Sequence, residues 1–218
     1  MASETFFVVG AVFCVPESGV GPQRTLRHTL DSARRLYAKM DGRSPPEEMH
    51  FSSGLKRQAT SIMRSMINAS YCDLSLSSHA EDLLGHSGLR FRTSAVSPRL
   101  IHNLGRRAMN PSLDIRVWAL ADIILPLLAR RKEEVRADIV LDDTVWSGAA
   151  NILQYVVRES FPDKLIAWEV ADSRHMPGLQ IADIISGVTR AHLNTGDYQE
   201  AFELLTHRTL VRLPEKAL

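Results

Sequence analysis

The C-terminal half of the chain alternates. "ADIVLDD" (Ala137–Asp143) is a short apolar run closed by acids, and "SGAANILQYVVRESF" repeats its apolar residues at helical spacing. "KLIAWEVAD" (Lys164–Asp172) is another apolar run closed by an acid, and "DSRHMPGLQIADIISGVTR" (Asp172–Arg190) is a polar loop feeding an apolar helix. Strand, helix, strand, helix in this order predicts parallel strands joined by right-handed crossovers, hence an α/β sheet. With the strands parallel, Asp142–Asp143 and Asp172 face one sheet edge, the edge where ligands gather in α/β sheets.

The N-terminal half has less regular punctuation. "FFVVGAVFCV" (Phe6–Val15) is rich in β-branched and aromatic residues and reads as a buried strand ended by Pro16 and Gly19. In "GPQRTLRHTLDSARRLYAKM" the residues Leu26, Leu30, Ala33 and Leu36–Tyr37 recur at helical spacing, with arginines opposite. "DGRSPPEE" is turn chemistry, and "EMHF" leaves it as a short extended piece. "GLKRQATSIMRSMINAS" is helical, with Leu55, Ile62, Met63 and Met66 on one side. "YCDLSLSS" alternates as a strand does, and "RFRTSAV" reads as a strand or part of a loop. Helices are expected from Pro98 to Arg131, with Pro126 kinking "VWALADIILPLLARR", and "GDYQEAFELLTHR" gives a last helix.

Composition sets limits on function. The net charge is +1, so no global field draws in nucleic acid, and any basic surface is local. Cys14 and Cys72 stand alone, without the spacing of a zinc site, which suits reduced cytosolic thiols. No apolar stretch reaches membrane-span length and the N-terminus has no secretory pattern, so the expectation is a cytoplasmic protein with no membrane partner. At 218 residues, 44% of them hydrophobic, the chain is expected to be one domain, 1–218, with a helical insertion at about 97–135.

The acids are the candidate chemistry. On a helical wheel Ile181, Ile184, Ile185 and Val188 form a buried stripe, and Gln180, Asp183 and Gly187 share a neighbouring face. Gly187, one turn after Asp183, is expected to leave open space beside the carboxylate. Clustered carboxylates repel unless a cation sits between them, and magnesium prefers such oxygen ligands. Glu48 and His50, in "EEMHFSS", could add a ligand and a proton-transfer group. Each residue also has a plainer reading. Asp142–Asp143 before Thr144 suits an Asx-turn or N-cap, Asp172–Ser173 suits a turn, and Asp183 suits a solvated helix position. His50, after the diproline loop, suits a structural or an exposed position, and His175 beside Asp172 is a candidate of the same kind. The pairs Arg34–Arg35, Arg106–Arg107 and Arg130–Arg131 suit solvated helix faces, or scattered phosphate contacts.

The order of these motifs resembles the DUF3800 family, prokaryotic and phage proteins with a ribonuclease H-like fold. "FFVVGAVFCVPES" is similar to an early strand of that family, "EEMHFS" to its Glu-x-His motif, and "ADIVLDDT" to a later strand ending in Asp. "DSRHMPGLQIADIISG" is similar to its most recognisable segment, an Asp-Ser turn followed by Gly-Leu-Gln-x-Ala-Asp. The resemblance spans about residues 6–195. It implies a ribonuclease H-like mixed sheet flanked by helices and a site binding Mg2+ or Mn2+. Asp142 and Asp183 would be ligands, Asp172 and Glu48 helpers, and His50 a proton-transfer group. Arg174 and Arg190 would belong to a local basic patch. The implied activity is a divalent-metal-dependent nuclease or nuclease-like phosphodiesterase acting on nucleic acid.

One departure bears on activity. The family begins with a strand carrying Asp-Glu-Ser-Gly, whereas only "MASET" precedes Phe6 here, so the usual first strand is missing. The options are a truncated or internally started chain, a strand supplied by another chain, or a sheet that has closed up and lost catalysis. The second class of function is therefore a catalytically degenerate binding or assembly subunit, a homo-oligomer or a protein completed by its partner.

Overall fold

The apolar run after residue 6 is strand β1 (Phe7–Val15). The computed structural model describes residues 5–15, 21–51, 55, 57–71, 88–107, 109–129, 136–142, 146–205 and 207–210. Helix α1 (Pro22–Asp41) starts with Pro22 in its first turn, where a missing N–H costs nothing, and stops at Gly42, whose φ of 69° closes the last turn. There follow α2 (Ala59–Tyr71), β2 (Gly88–Val96), α3 (Pro98–Arg107), α4 (Pro111–Ala129) and β3 (Arg136–Asp142). The chain continues with α5 (Ser147–Ser160), β4 (Leu165–Ala171), a 3-10 turn (Ser173–His175), α6 (Pro177–Thr195), α7 (Gln199–Glu203) and β5 (His207–Leu210).

This is a mixed α/β arrangement with seven α-helices and two small sheets among the described residues. One sheet is antiparallel with strand order β1-β2-β5, and the other is the parallel pair β3-β4. The alternation in the C-terminal half thus has its predicted consequence. Asp142 pairs in register with Ala171, so Asp142 and Asp172 stand at the same end of two parallel strands.

Other expectations meet different outcomes. "RFRTSAV" is strand, within β2. Of "YCDLSLSS", Tyr71 closes α2 and residues 72–78 lie outside the described residues, as do Asp143, Thr144, Arg130 and Arg131. Helix α4 contains Pro126 and runs on to Ala129. The last helix is shorter than its sequence pattern suggests. Only Gln199–Glu203 is helical, and His207–Leu210 joins the first sheet instead. Pairing with a distant strand overrides the local helical pattern there.

The chain divides into two compact units. The first comprises residues 1–9, 93–173 and 208–218. In it α3 packs on α4, α4 on α5, and α5 against β4. Ile115, Ala119, Leu120, Ile123, Ile124 and Leu128 form the buried stripe of α4, and Ala149, Ala150, Leu153 and Val157 that of α5. The helices expected at 97–135 belong to this unit.

The second unit comprises residues 10–92 and 174–207. In it α1 packs on α2 and α6, and α7 on α2 and α6. Its core is drawn from the stripes read in the sequence: Leu26, Leu30 and Ala33 of α1, Ile62, Met63 and Met66 of α2, and Ile181, Ile184, Ile185 and Val188 of α6. Strand β1 crosses α6 at Gly10, where an added Cβ would lie 2.3 Å from the Ala182 carbonyl oxygen. Only glycine allows a strand backbone so close to a helix backbone.

Candidate functional site

Helix α6 is fixed from behind by its isoleucines, and its neighbouring face presents Gln180, Asp183 and Gly187. Residues Glu47–Phe51 lie along that face. The hydrogen bonds that hold the segment are made to its backbone. The Met49 N–H donates to Gln180 Oε1 at 3.0 Å, and the Phe51 N–H donates to Asp183 Oδ2 at 3.0 Å. From α1, Arg34 Nη2 donates to the Glu47 carbonyl and to Gln180 Oε1, the latter at 3.1 Å. Gln180 Nε2 donates to the Arg174 carbonyl at 3.3 Å.

Two side chains seat the segment. Met49 is buried in the core of the unit. The Phe51 ring lies over Gly187, where a Cβ would come within 2.2 Å of Phe51 Cγ, and it meets Tyr198 edge-on with ring centroids 5.8 Å apart. The space expected beside Asp183 is therefore filled by an aromatic ring. The helical period shows which residues share a face, but not which distant segment lands on it.

With residues 49 and 51 held inward, Glu48 and His50 carry the side chains that meet one another and Asp183. His50 Nε2 lies 3.1 Å from Glu48 Oε1, and His50 Nδ1 lies 3.6 Å from Asp183 Oδ2. The first distance is within hydrogen-bonding reach and the second is an ion-pair distance only. A neutral imidazole donates from one nitrogen and a protonated one from both. The side chains of Glu48, His50 and Asp183 are 20%, 54% and 46% exposed, so the cluster is open to a ligand from solvent.

The five sequence-predicted site residues fall into two groups. Glu48, His50 and Asp183 belong to the second unit and converge as described. Asp142 and Asp172 belong to the first unit and share the carboxyl end of β3 and β4, both half-buried. His175 is exposed in the 3-10 turn, and Arg174 and Arg190 are exposed in the second unit.

Comparison with family models, curated proteins and solved structures finds no match to this chain. The site is therefore read from its own chemistry.

Two carboxylates with an imidazole between them suit either proton transfer or a divalent cation. Among the described residues no group of three or more His, Cys, Asp and Glu side chains is placed to hold a metal ion. With the imidazole between them the two carboxylates do not meet on one ion, so a magnesium ion here would rest on one carboxylate, its own waters and substrate phosphates.

Sequence reasoning passed over Arg34 and undervalued Gln180. Arg34 was read as part of a solvated arginine face. Its place one turn after Leu30, beside the core stripe, is the signal that separates it from Arg35. Gln180 is 1% exposed, and a fully buried amide beside the isoleucine stripe of α6 calls for partners.

Proposed function

We propose that this protein is a divalent-metal-dependent nuclease or nuclease-like phosphodiesterase of ribonuclease H-like fold, as its resemblance to the DUF3800 family implies. One observation carries the reading. Two motifs that the resemblance singles out, Glu48-x-His50 and Gly178–Gly187, lie more than a hundred residues apart, yet His50 stands within 3.1 Å of Glu48 and 3.6 Å of Asp183. In this reading Asp183 would hold Mg2+ or Mn2+ with Glu48 as a helper, and His50 would move a proton at an imidazole nitrogen. The ion would supply stabilisation of charge developing on phosphate oxygens. Asp142 and Asp172 enter through the resemblance alone, as further acids of a nuclease. Arg174 and Arg190, both exposed, supply positive charge for a nucleic-acid backbone.

A second reading rests on the use already made of Asp183. Its Oδ2 holds the Phe51 N–H, so the residue has a structural task whether or not metal binds. A binding or assembly subunit would keep that task and lose the chemistry.

Isothermal titration of manganese into the intact chain and into Asp183→Asn separates the two. The asparagine carbonyl still accepts the Phe51 N–H, so the substitution removes charge and keeps the fold. Binding that vanishes in the variant supports the nuclease reading. Cleavage of labelled single- and double-stranded DNA and RNA should then need metal and should disappear in Asp142→Asn. No manganese binding by the intact chain overturns the nuclease reading and leaves the assembly subunit, which light scattering of the full chain would test.

A further inference from the structure

We infer that Arg34 and Gln180 are the positioning residues of this site, an inference that takes the metal-dependent reading of Glu48 and His50 as its basis. Their bonds to the segment described above are made to its peptide groups. Arg34 and Gln180 thus act on the backbone that carries Glu48 and His50. Gln180 Oε1 receives the Met49 N–H at 3.0 Å and Arg34 Nη2 at 3.1 Å, so one buried oxygen joins α1, α6 and the segment. Arg34 Nη2 also holds the Glu47 carbonyl. The residues on either side of Glu48 are thus fixed by one two-residue clamp, and Asp183 fixes the residue after His50.

The clamp is stiff for physical reasons. The Gln180 side chain is buried, so its amide has no water to exchange partners with. Asp31 Oδ1 lies 3.5 Å from Arg34 Nη1, one turn back on α1, which orients the guanidinium. A planar guanidinium reaches a carbonyl and an amide oxygen together, which an ammonium on a flexible stem does less well. The segment has no strand partner among the described residues for its N–H groups at 49 and 51, and the side chains of α6 take the place of one. A pentapeptide tied down at 47, 49 and 51 has little freedom to rotate, so the bonds that hold it also set the directions of positions 48 and 50.

The test uses the full chain with two replacements at one site. Gln180→Met keeps the volume and removes the acceptor, whereas Gln180→Glu keeps the acceptor for the Met49 N–H and Arg34 and loses only the donor to the Arg174 carbonyl. In Gln180→Met the Met49 amide should exchange with solvent about tenfold faster or more, the His50 ring resonances should shift, and manganese affinity should fall roughly 10–100-fold, the range for residues that orient ligands from behind. Gln180→Glu should restore Met49 protection and the His50 ring signals. Unchanged Met49 exchange and ring signals in Gln180→Met would overturn the inference. So would lost protection with manganese affinity intact, or failure of Gln180→Glu to restore the signals while the Arg174 segment keeps its protection. Should Gln180→Met not fold, Arg34→Lys reads the same contact from α1 by the same measurements. If the intact chain binds no manganese, the metal reading fails by itself, and Met49 exchange and the His50 ring signals still decide whether the clamp positions residues 48 and 50.

Discussion

Gly187→Ala sets two effects of opposite sign against each other. In an open helix position this change stabilises by about 1 kcal/mol, because alanine has less freedom to lose. Here the new Cβ would stand 2.2 Å from Phe51 Cγ and 2.3 Å from Phe51 Cβ. Carbon atoms sit comfortably at about 3.5–4.0 Å, so the ring must retreat by more than about 1 Å. Phe51 Cβ cannot swing away on its own, because it is bonded to the backbone, so the segment itself must move. Overpacking of this kind costs about 1–3 kcal/mol, and the strained Asp183 bond to the Phe51 N–H adds about 1.5 kcal/mol. Subtracting the helix gain leaves a net loss of about 2 kcal/mol. Trp118, Trp146 and Trp168 all lie in the first unit, so tryptophan fluorescence reports the wrong part of the chain. Native-state hydrogen exchange of α6 and of the Met49 and Phe51 amides is the suitable assay. Loss of protection at 49 and 51, with α6 opening more readily, is expected. A variant more stable than the parent by about 1 kcal/mol, with both amides protected, would refute the placement of Phe51 over Gly187.

Two further outcomes follow from neighbouring contacts. Gly10→Ala should be the harsher glycine replacement, because its Cβ would meet the Ala182 carbonyl oxygen at 2.3 Å and the Ser186 nitrogen at 3.0 Å, both of them backbone atoms that cannot rotate aside. A loss of about 3 kcal/mol or more, seen as a lower urea midpoint by circular dichroism, is expected. At Cys14, burial pushes the thiol pKa up. The folded chain holds that proton more tightly than the unfolded one, so the stability it contributes is complete below the usual thiol range and is lost as pH rises through the raised value. Alkylation by iodoacetamide near pH 8, read by peptide mass spectrometry, should therefore be slower at Cys14 in the folded protein than in urea. Equal rates would refute the burial argument.

How much of this was legible in the sequence differs by residue. The strand–helix alternation ending in Asp142 and Asp172 predicted a parallel pair, because crossover handedness and local period are properties of short segments. The grouping of Gln180, Asp183 and Gly187 on one face was legible for the same reason. What that face holds was not. Its occupant comes from residues 47–51, and a helical period carries no information about a segment more than a hundred positions away. Arg34 was missed because a run of arginines reads as solvated until the partner carbonyl is known. The end of the chain illustrates the opposite error. "GDYQEAFELLTHR" carries a helical pattern, yet His207–Leu210 is drawn into a sheet whose other members are β1 and β2.

The grip on residues 47–51 is made through peptide groups and through the side chains of Met49 and Phe51. Chemistry and scaffold are therefore written at different positions. A lineage can exchange Glu48 or His50 for other residues without moving the chain that presents them, whereas a change at Gln180 or Gly187 alters the platform under any chemistry placed there. Such a segment is an interchangeable socket. A library varied at the exposed position 50, proline left out, should keep the fold, and it offers new reactivity on an unaltered frame.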